Sequence, residues 1–485
     1  MDVLEIVHVI YSIVLGWLTI NAYYPHVLPP LRGESNFMEA FICSWLMIEL
    51  GAHIGVFSLA FSLCLIVYEG YPNEMAHFDT NANLTSGVIV AFSLCLNALC
   101  SIALIAIYLT GFFAFKSSIQ QISSQMKEYV RHQPDKNYLV DPNWISKNIE
   151  SGYKRRYFWR ELLFPFRWHR NYHGLVCVDN DISYGPAVAA TGDPAHTLDV
   201  YYPSSDNHHL MNQSVTDMSA LVKPRMIVIA IHGGAWVSGS RSYSSLPLLY
   251  KLTAFLGCVC FNIDYRLCND TSPNVAWPHH LTDCEMALDW IAANAHRWNG
   301  DPNFIILTGG SAGAHLATLL AFQEIQRSQL ASYSSSHNKN NNNNPVIPFP
   351  RRIRACIPYY GVYNLMLPGN RKFFSRRVLK RDDPEILEQS SPQILLERKH
   401  FLYDPASFPS FLCVQGMWDS ITPHQHHSQF VEQLRTFTSN QALITSLDIP
   451  FAQHAFDVFG CPRSLAAVFA TIDWLQYLYH IENEK

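Results

Sequence analysis

The stretch that decides the fold runs from Phe304 to Phe322, FIILTGGSAGAHLATLLAF. Its first four residues are apolar and read as a buried strand; the Ala- and Leu-rich run after residue 312 reads as a helix. Between them, Gly309-Gly310-Ser311-Ala312-Gly313 fits G-x-S-x-G. That pattern alone arises often by composition. Between a strand and a helix, however, it is the sharp turn that exposes a serine hydroxyl at a helix N-terminus. The flanking glycines let the backbone bend, and the helix dipole favours negative charge developing there. Ser311 is the candidate nucleophile.

Working outward, strand-like runs recur at residues 196–202, 226–231, 258–263, 304–307, 354–359 and 410–415, with helical patterns at 283–296 and 312–323. The strands from 226 onward are short, apolar and mostly β-branched or aromatic, as central parallel strands are. The alternation predicts an α/β catalytic domain over 176–485 with a doubly wound, mostly parallel sheet. Ser328–Pro345 contains SYSSSHNKNNNNN and is expected to be a disordered, Asn-rich insertion.

Directly after the strand ending at Ile231 stands His232-Gly233-Gly234-Ala235-Trp236. Acyl transfer needs donors aimed at the oxyanion of a tetrahedral intermediate, and small residues let backbone N–H groups approach it. The N–H groups of Gly234, Ala235 and Ala312 are the expected donors, with His232 and Gly233 holding the loop in shape.

HGGAW, Asp264-Tyr265-Arg266-Leu267 and GGSAGAHLA, in that order, resemble the α/β-hydrolase family, in particular its hormone-sensitive-lipase-like and membrane-anchored carboxylesterase branch. Isoprenylcysteine methylesterase-like and arylacetamide-deacetylase-like enzymes are members. The resemblance covers about residues 190–480, roughly 60% of the chain; Ala235 departs from the usual HGGG. In this fold the chain order is Ser, then Asp or Glu, then His. The resemblance therefore implies Asp419, in VQGMWDSITP, as the acid and His454, in PFAQHAFD, as the base. His315 and Asp457 are the competing base and acid. Asp264 is expected to pin Arg266 or a loop near the site, and PHQHH at 423–427 to be a solvated helix start.

The N-terminal part reads differently. Only 15% of the 485 residues are charged, 13% are aromatic, and mean hydropathy is +0.02. Residues 1–115 hold one basic and eight acidic residues, net −7, whereas 116–170 hold eleven basic and five acidic, net +6. Ser86–Phe115 is apolar and long enough to span a bilayer, which needs about 20 residues. Val3–Tyr24 and residues 37–68 are further apolar blocks, the latter interrupted by Glu39, Glu49 and His53 and readable as one long tilted helix or as two shorter segments broken near Gly51 and Gly55. About three transmembrane helices in 1–115 are expected, then a basic, aromatic juxtamembrane connector over 116–175 containing GYKRRYFWRELLFPFRWHR at 152–170. By the positive-inside rule the catalytic domain is cytosolic, in a eukaryote on the endoplasmic reticulum or another endomembrane.

A net charge of −5 excludes nucleic-acid binding as the main function. The twelve cysteines show neither a disulfide framework nor zinc spacing. Together these readings imply a membrane-bound serine carboxylic ester hydrolase acting on apolar or lipid-like esters through an acyl-enzyme. The expected partners are the ester substrate and membrane lipids, with no metal and no organic cofactor. Alternatives are isoprenylcysteine methyl ester, amide or formamide hydrolysis by the same mechanism, and a non-catalytic membrane scaffold.

Overall fold

The computed structural model describes residues 3–23, 50–69, 80–131, 172–186, 196–204, 224–269, 272–337, 352–398, 408–439, 441–458 and 460–483. The 152–170 segment, Glu39, Glu49 and the Asn-rich tract at 338–345 lie outside the described residues.

Three helices come first: α1 (Val3–Tyr23), α2 (Gly51–Glu69) and α3 (Thr80–Arg131). The side-chain pairs fix their directions. His8 of α1 reaches Ser93, and Gly16 abuts Leu96 and Cys100, so α1 runs parallel to α3. Gly51 abuts Leu104 while Asn97 bonds Ser62, so α2 runs antiparallel to it. A Cβ on Gly51 would lie 2.5 Å from the Leu104 carbonyl oxygen, and one on Gly55 2.8 Å from that of Ser101. These glycines are therefore close-approach points between α2 and α3, and α2 begins at Gly51 itself. A buried polar cluster keys the three together. His8 bonds Ser93 and Ser62, and Asn97 donates to the Ser58 carbonyl oxygen and the Ser62 hydroxyl.

The catalytic domain is an eight-stranded sheet: β1 (Val176–Ser183), β2 (Thr197–Pro203), β3 (Arg225–Ile231), β4 (Val259–Ile263), β5 (Gly300–Gly310), β6 (Ile353–Tyr359), β7 (Ser410–Gly416) and β8 (Ile444–Ile449), in the order β1-β2-β4-β3-β5-β6-β7-β8. β1–β2 and β2–β4 pair antiparallel; β4 through β8 are parallel. β3 shows why its sequence is apolar throughout. Ile227, Ile229 and Ile231 join the core under α4 (His279–Asn294) and α5 (Ala312–His337). Met226, Val228 and Ala230 join the opposite core, with α6 (Pro462–Asn483). α5 runs ten residues into the segment expected to be a disordered insertion, because extending an existing helix is far easier than nucleating one.

The second correction concerns the connector. α3 passes residue 116 without a break and is about 78 Å long at 1.5 Å per residue. Its second half belongs to the catalytic domain. Tyr108, Ala114, Ile122 and Met126 share a core with Leu465 and Phe469 of α6, and the buried Arg463 donates to the Ile107 carbonyl oxygen at 2.5 Å and to the Thr110 hydroxyl at 2.9 Å. β8 is an edge strand, and α3 covers it. Gln125 donates to the Ser446 carbonyl oxygen at 2.8 Å and accepts from the Ser446 N–H at 2.9 Å. One turn earlier, Gln121 accepts from the Asp448 N–H at 3.1 Å and donates to its carboxylate at 2.9 Å. Two glutamines thus supply the pairing a ninth strand would have made, which removes an exposed sheet edge.

Candidate active site

Parallel strands deliver their functional residues at their C-terminal ends. HGGAW follows β3, Ser311 follows β5, Tyr360 follows β6, Asp419 follows β7 and His454 follows β8.

At the elbow, Ser311 is half-buried and has φ 56°, the left-handed region that non-glycine residues avoid. Its neighbours over-determine that strain. The Ser311 N–H donates to the Tyr359 carbonyl oxygen at 2.9 Å, and α5 begins at Ala312. A Cβ on Gly309 would lie 2.5 Å, and one on Gly313 2.0 Å, from the Ile231 carbonyl oxygen. The two glycines of the motif therefore let the elbow press against the end of β3.

That contact brings the HGGAW loop to the serine: a Cβ on Gly233 would stand 3.4 Å from the Ser311 Cβ. Gly234, Ala235 and Trp236 follow at φ 116°, 53° and 62°. Ala235 thus adopts the left-handed conformation despite its Cβ, at a strain of roughly 1–2 kcal/mol. The loop is pinned around it. Val237 and Ser238 N–H groups donate to the Gly234 carbonyl oxygen, and Cys268 N–H and His280 Nε2 to that of buried Trp236. Among the described residues the N–H groups of Gly234 and Ala235 have no acceptor, and Ala312 holds the first helical position, where an N–H lacks an intrahelical partner. His232 is buried, its ring stacked on Tyr265 at 4.2 Å and its Nδ1 2.7 Å from the Gly233 carbonyl oxygen. Burial lowers its pKa, so it braces the loop as a neutral ring.

Of the two roles expected for Asp264, the structure shows the second: it pins a loop near the site, through Arg241, and leaves Arg266 to another carboxylate. It accepts from the Arg241 N–H at 2.8 Å and from the Arg241 guanidinium, while Arg266 forks onto Asp283 at 2.6–3.1 Å. Arg241 is held by Asp181, Asp199 and Asp264 together, so the loop after HGGAW is tied to β1, β2 and β4.

His454 Nδ1 donates to Asp419 Oδ2 at 2.8 Å, with both side chains buried. Asp419 also accepts from the N–H groups of Ile421 and Thr422 at 2.9 and 2.8 Å, the Thr422 hydroxyl at 2.8 Å and Gln415 Nε2 at 3.0 Å. These donors fix the carboxylate, and through it the tautomer and tilt of the imidazole, which makes Nε2 its basic nitrogen.

The competitors are engaged elsewhere. His315 Nε2 bonds the Ser390 carbonyl oxygen at 2.7 Å, and burial pushes its pKa to about 4. Asp457 accepts from the Tyr360 hydroxyl at 2.5 Å. PHQHH is less solvated than expected. His424 bonds Asp448 at 2.9 Å, which raises the His424 pKa, while His427 is buried and pushed to about 4.

Tyr360 went unnoticed in the sequence, yet it borders the elbow, the acid loop and the histidine loop. Its hydroxyl would meet a Cβ on Gly310 at 2.6 Å, its ring lies 4.7 Å from the His454 ring, and its carbonyl oxygen is 3.2 Å from the Thr422 hydroxyl. Trp236, Trp277, His315 and Phe374 form an aromatic wall beside the HGGAW loop, with ring centroids 5.1–6.3 Å apart.

Sheet order, elbow and loop placement are those of an α/β-hydrolase, and the comparisons with known proteins support a serine esterase of that fold. Residues 218–434 match the BD-FAE family model. The chain is 31% identical over 325 residues to the probable carboxylic ester hydrolase LipM of Mycobacterium tuberculosis, covering 66% of this chain and 65% of that one. It is 25% identical over 257 residues to a probable isoprenylcysteine alpha-carbonyl methylesterase of Arabidopsis thaliana, covering 51% and 52%. The chain thus spans between half and two thirds of these relatives' lengths. The crystal structure of esterase B from Lactobacillus rhamnosis aligns over 70% of this chain and 96% of its own, at 19% identity and a TM-score of 0.46.

Proposed function

We propose that this protein is a membrane-bound serine carboxylic ester hydrolase for apolar or lipid-like esters. The observation that carries the reading is the His454–Asp419 hydrogen bond, linked through Tyr360 to the elbow where Ser311 is held at φ 56° under the HGGAW loop. His454 Nε2 takes the Ser311 hydroxyl proton as Oγ attacks the ester carbonyl. The N–H groups of Gly234, Ala235 and Ala312 receive the oxyanion, and Asp419 stabilises the imidazolium. Collapse of the intermediate expels the alcohol, protonated by His454, and leaves an acyl-Ser311. Water, deprotonated by His454, then releases the acid and restores the serine. These steps need no metal or organic cofactor.

Membrane attachment rests on α3, whose Ala91–Tyr129 portion is long and apolar enough to cross a bilayer, and on the shorter apolar stretches Ile6–Gly16 of α1 and Gly51–Leu63 of α2. In this reading α1, α2 and the first half of α3 span the bilayer. The catalytic domain lies on the cytosolic side, where the basic 116–170 segment belongs. Similarity to the plant methylesterase favours a second reading, cleavage of a small alcohol from an isoprenylcysteine-like ester by the same residues.

The test is hydrolysis of p-nitrophenyl esters of increasing chain length by detergent-solubilised protein, beside Ser311→Ala. Activity that disappears in the variant and peaks at long chains is expected. An optimum at the methyl-ester leaving group on a prenylated substrate would favour the second reading, and no turnover of any ester would overturn both.

A further inference from the structure

The acid and histidine loops carry side chains that the reaction does not use. Met417 and Trp418 immediately precede Asp419, and Phe451 stands three residues before His454. The two loops are tied together. Met417 N–H donates to the Ile449 carbonyl oxygen at 3.0 Å and Trp418 N–H to that of Ala452 at 2.9 Å, and the Trp418 and Phe451 rings meet edge to face at 5.0 Å. Met417 is 49% and Phe451 37% exposed, and Phe451 is held at φ 59°. Two large apolar side chains kept exposed beside a site, one of them on strained backbone, mark a surface meant to be covered.

What covers it follows from the neighbour on its other side. Trp418 packs against the cluster that Leu15, Cys100, Leu104 and Ile107 form in the α1–α2–α3 bundle, toward the end where α2 begins at Gly51. From Ile107 back to Ser86 there are enough residues for one bilayer crossing of about 20 residues. Over that length the bundle shows lipid-like faces, with Ile10, Ile13, Phe57, Leu63, Phe92 and Leu99 all exposed. The apolar surface of the bundle is thus continuous, through Trp418, with Met417 and Phe451. A tryptophan at the end of an apolar helical span is at headgroup level.

We propose that the acid and histidine loops rest in the headgroup boundary of the bilayer, with Met417, Trp418 and Phe451 immersed in it. Ser311 then receives its ester from the lipid phase: an amphiphilic acyl ester whose chain remains in the bilayer while its carbonyl reaches the serine. This rests on the membrane-bound esterase reading above and adds the entry route and the substrate's physical state. Arg463 and the two glutamines of α3 hold the domain in this orientation.

Two measurements on the full chain in phosphatidylcholine vesicles test it. The first takes Trp418 fluorescence as the difference between wild type and Trp418→Phe, with and without lipid brominated near the top of its acyl chains. Quenching of the Trp418 component is expected; an unquenched component overturns the proposal, as would hold if a protein partner covered the patch. The second compares Met417→Gln and Phe451→Asn with wild type; Asn tolerates the left-handed φ. Expected is a loss of about tenfold or more in kcat/KM for a long-chain ester dissolved in the bilayer, against less than about twofold for p-nitrophenyl acetate in water. Equal losses on both esters, or none on either, overturn the proposal. Quenching without hydrolysis of any ester would sink the esterase reading and the substrate with it, while leaving the bilayer contact standing.

Discussion

Tyr360→Phe removes one oxygen atom, and its consequence can be worked from the structure. The hydroxyl donates to Asp457 Oδ1 at 2.5 Å, and with Tyr360 at 5% and Asp457 at 6% exposure water has no route to replace it. A hydrogen bond to a buried carboxyl is worth about 1.5–3 kcal/mol, and the void left by one oxygen adds little. Thermal midpoints move roughly 2–4 °C per kcal/mol in domains of this size, so a drop of about 5 °C is expected. The loss has a pH signature. Burial already raises the Asp457 pKa above 3.8, and the Tyr360 hydroxyl is the main counterweight, with help from a backbone N–H and the charge of His454. Without the hydroxyl that pKa climbs further. In the window between the two pKa values the folded state keeps a proton that the unfolded chain releases, so stability falls as pH rises through it. The deficit of Tyr360→Phe is therefore larger at neutral pH than near pH 4. Thermal unfolding of detergent-solubilised protein across that range is the assay, with ester kcat and KM alongside. Because Tyr360 joins the elbow, acid and histidine loops, kcat should fall more than KM changes. A midpoint shift under about 1 °C at neutral pH, or a deficit that grows toward acid, would refute the reasoning.

Asp419→Asn keeps the shape but no longer fixes the imidazole tautomer; kcat on a p-nitrophenyl ester should fall about 10³–10⁴-fold with KM little changed. Gln125→Ala strips the β8 edge of its two bonds to Ser446 and frees Arg435, which donates to Gln125 at 2.7 Å. The site is only partly buried, so about 1–2 kcal/mol of stability should go, read as a lower midpoint and faster aggregation on heating. His424→Gln tests the Asp448 contact. The hydrogen bond raises the His424 pKa above 6.5, so its stabilisation is full below pH 6.5 and vanishes as pH rises through the folded value. The variant's midpoint deficit should be larger near pH 6 than near pH 9.

Much of the site was legible because its chemistry is written in short, local stretches. The glycines around Ser311 sit where a Cβ would strike the Ile231 carbonyl oxygen, so the elbow announces itself within ten residues. Chain order then pointed to Asp419 and His454, which stand 2.8 Å apart. Illegible were the residues whose roles arise only when strand ends meet. Tyr360 and Asp457 are 97 positions apart, and Tyr360 and Thr422 are 62 apart. Asp264 was legible only as a choice between the neighbouring Arg266 and a nearby loop, and the fold settles it by delivering Arg241 from 23 residues upstream. The α3 boundary was missed for a different physical reason. An apolar run such as Tyr108–Phe115 has one composition whether lipid or Leu465 and Phe469 cover it, and only the packing distinguishes them.

The central claim, that Ser311 is a nucleophile activated by His454, is tested most directly by a fluorophosphonate probe and mass spectrometry of the labelled peptide. The account predicts one adduct on Ser311 in the wild type, none in Ser311→Ala, and strongly slowed labelling in His454→Ala. An unlabelled Ser311 in folded wild-type protein, or labelling at full rate without His454, would contradict it.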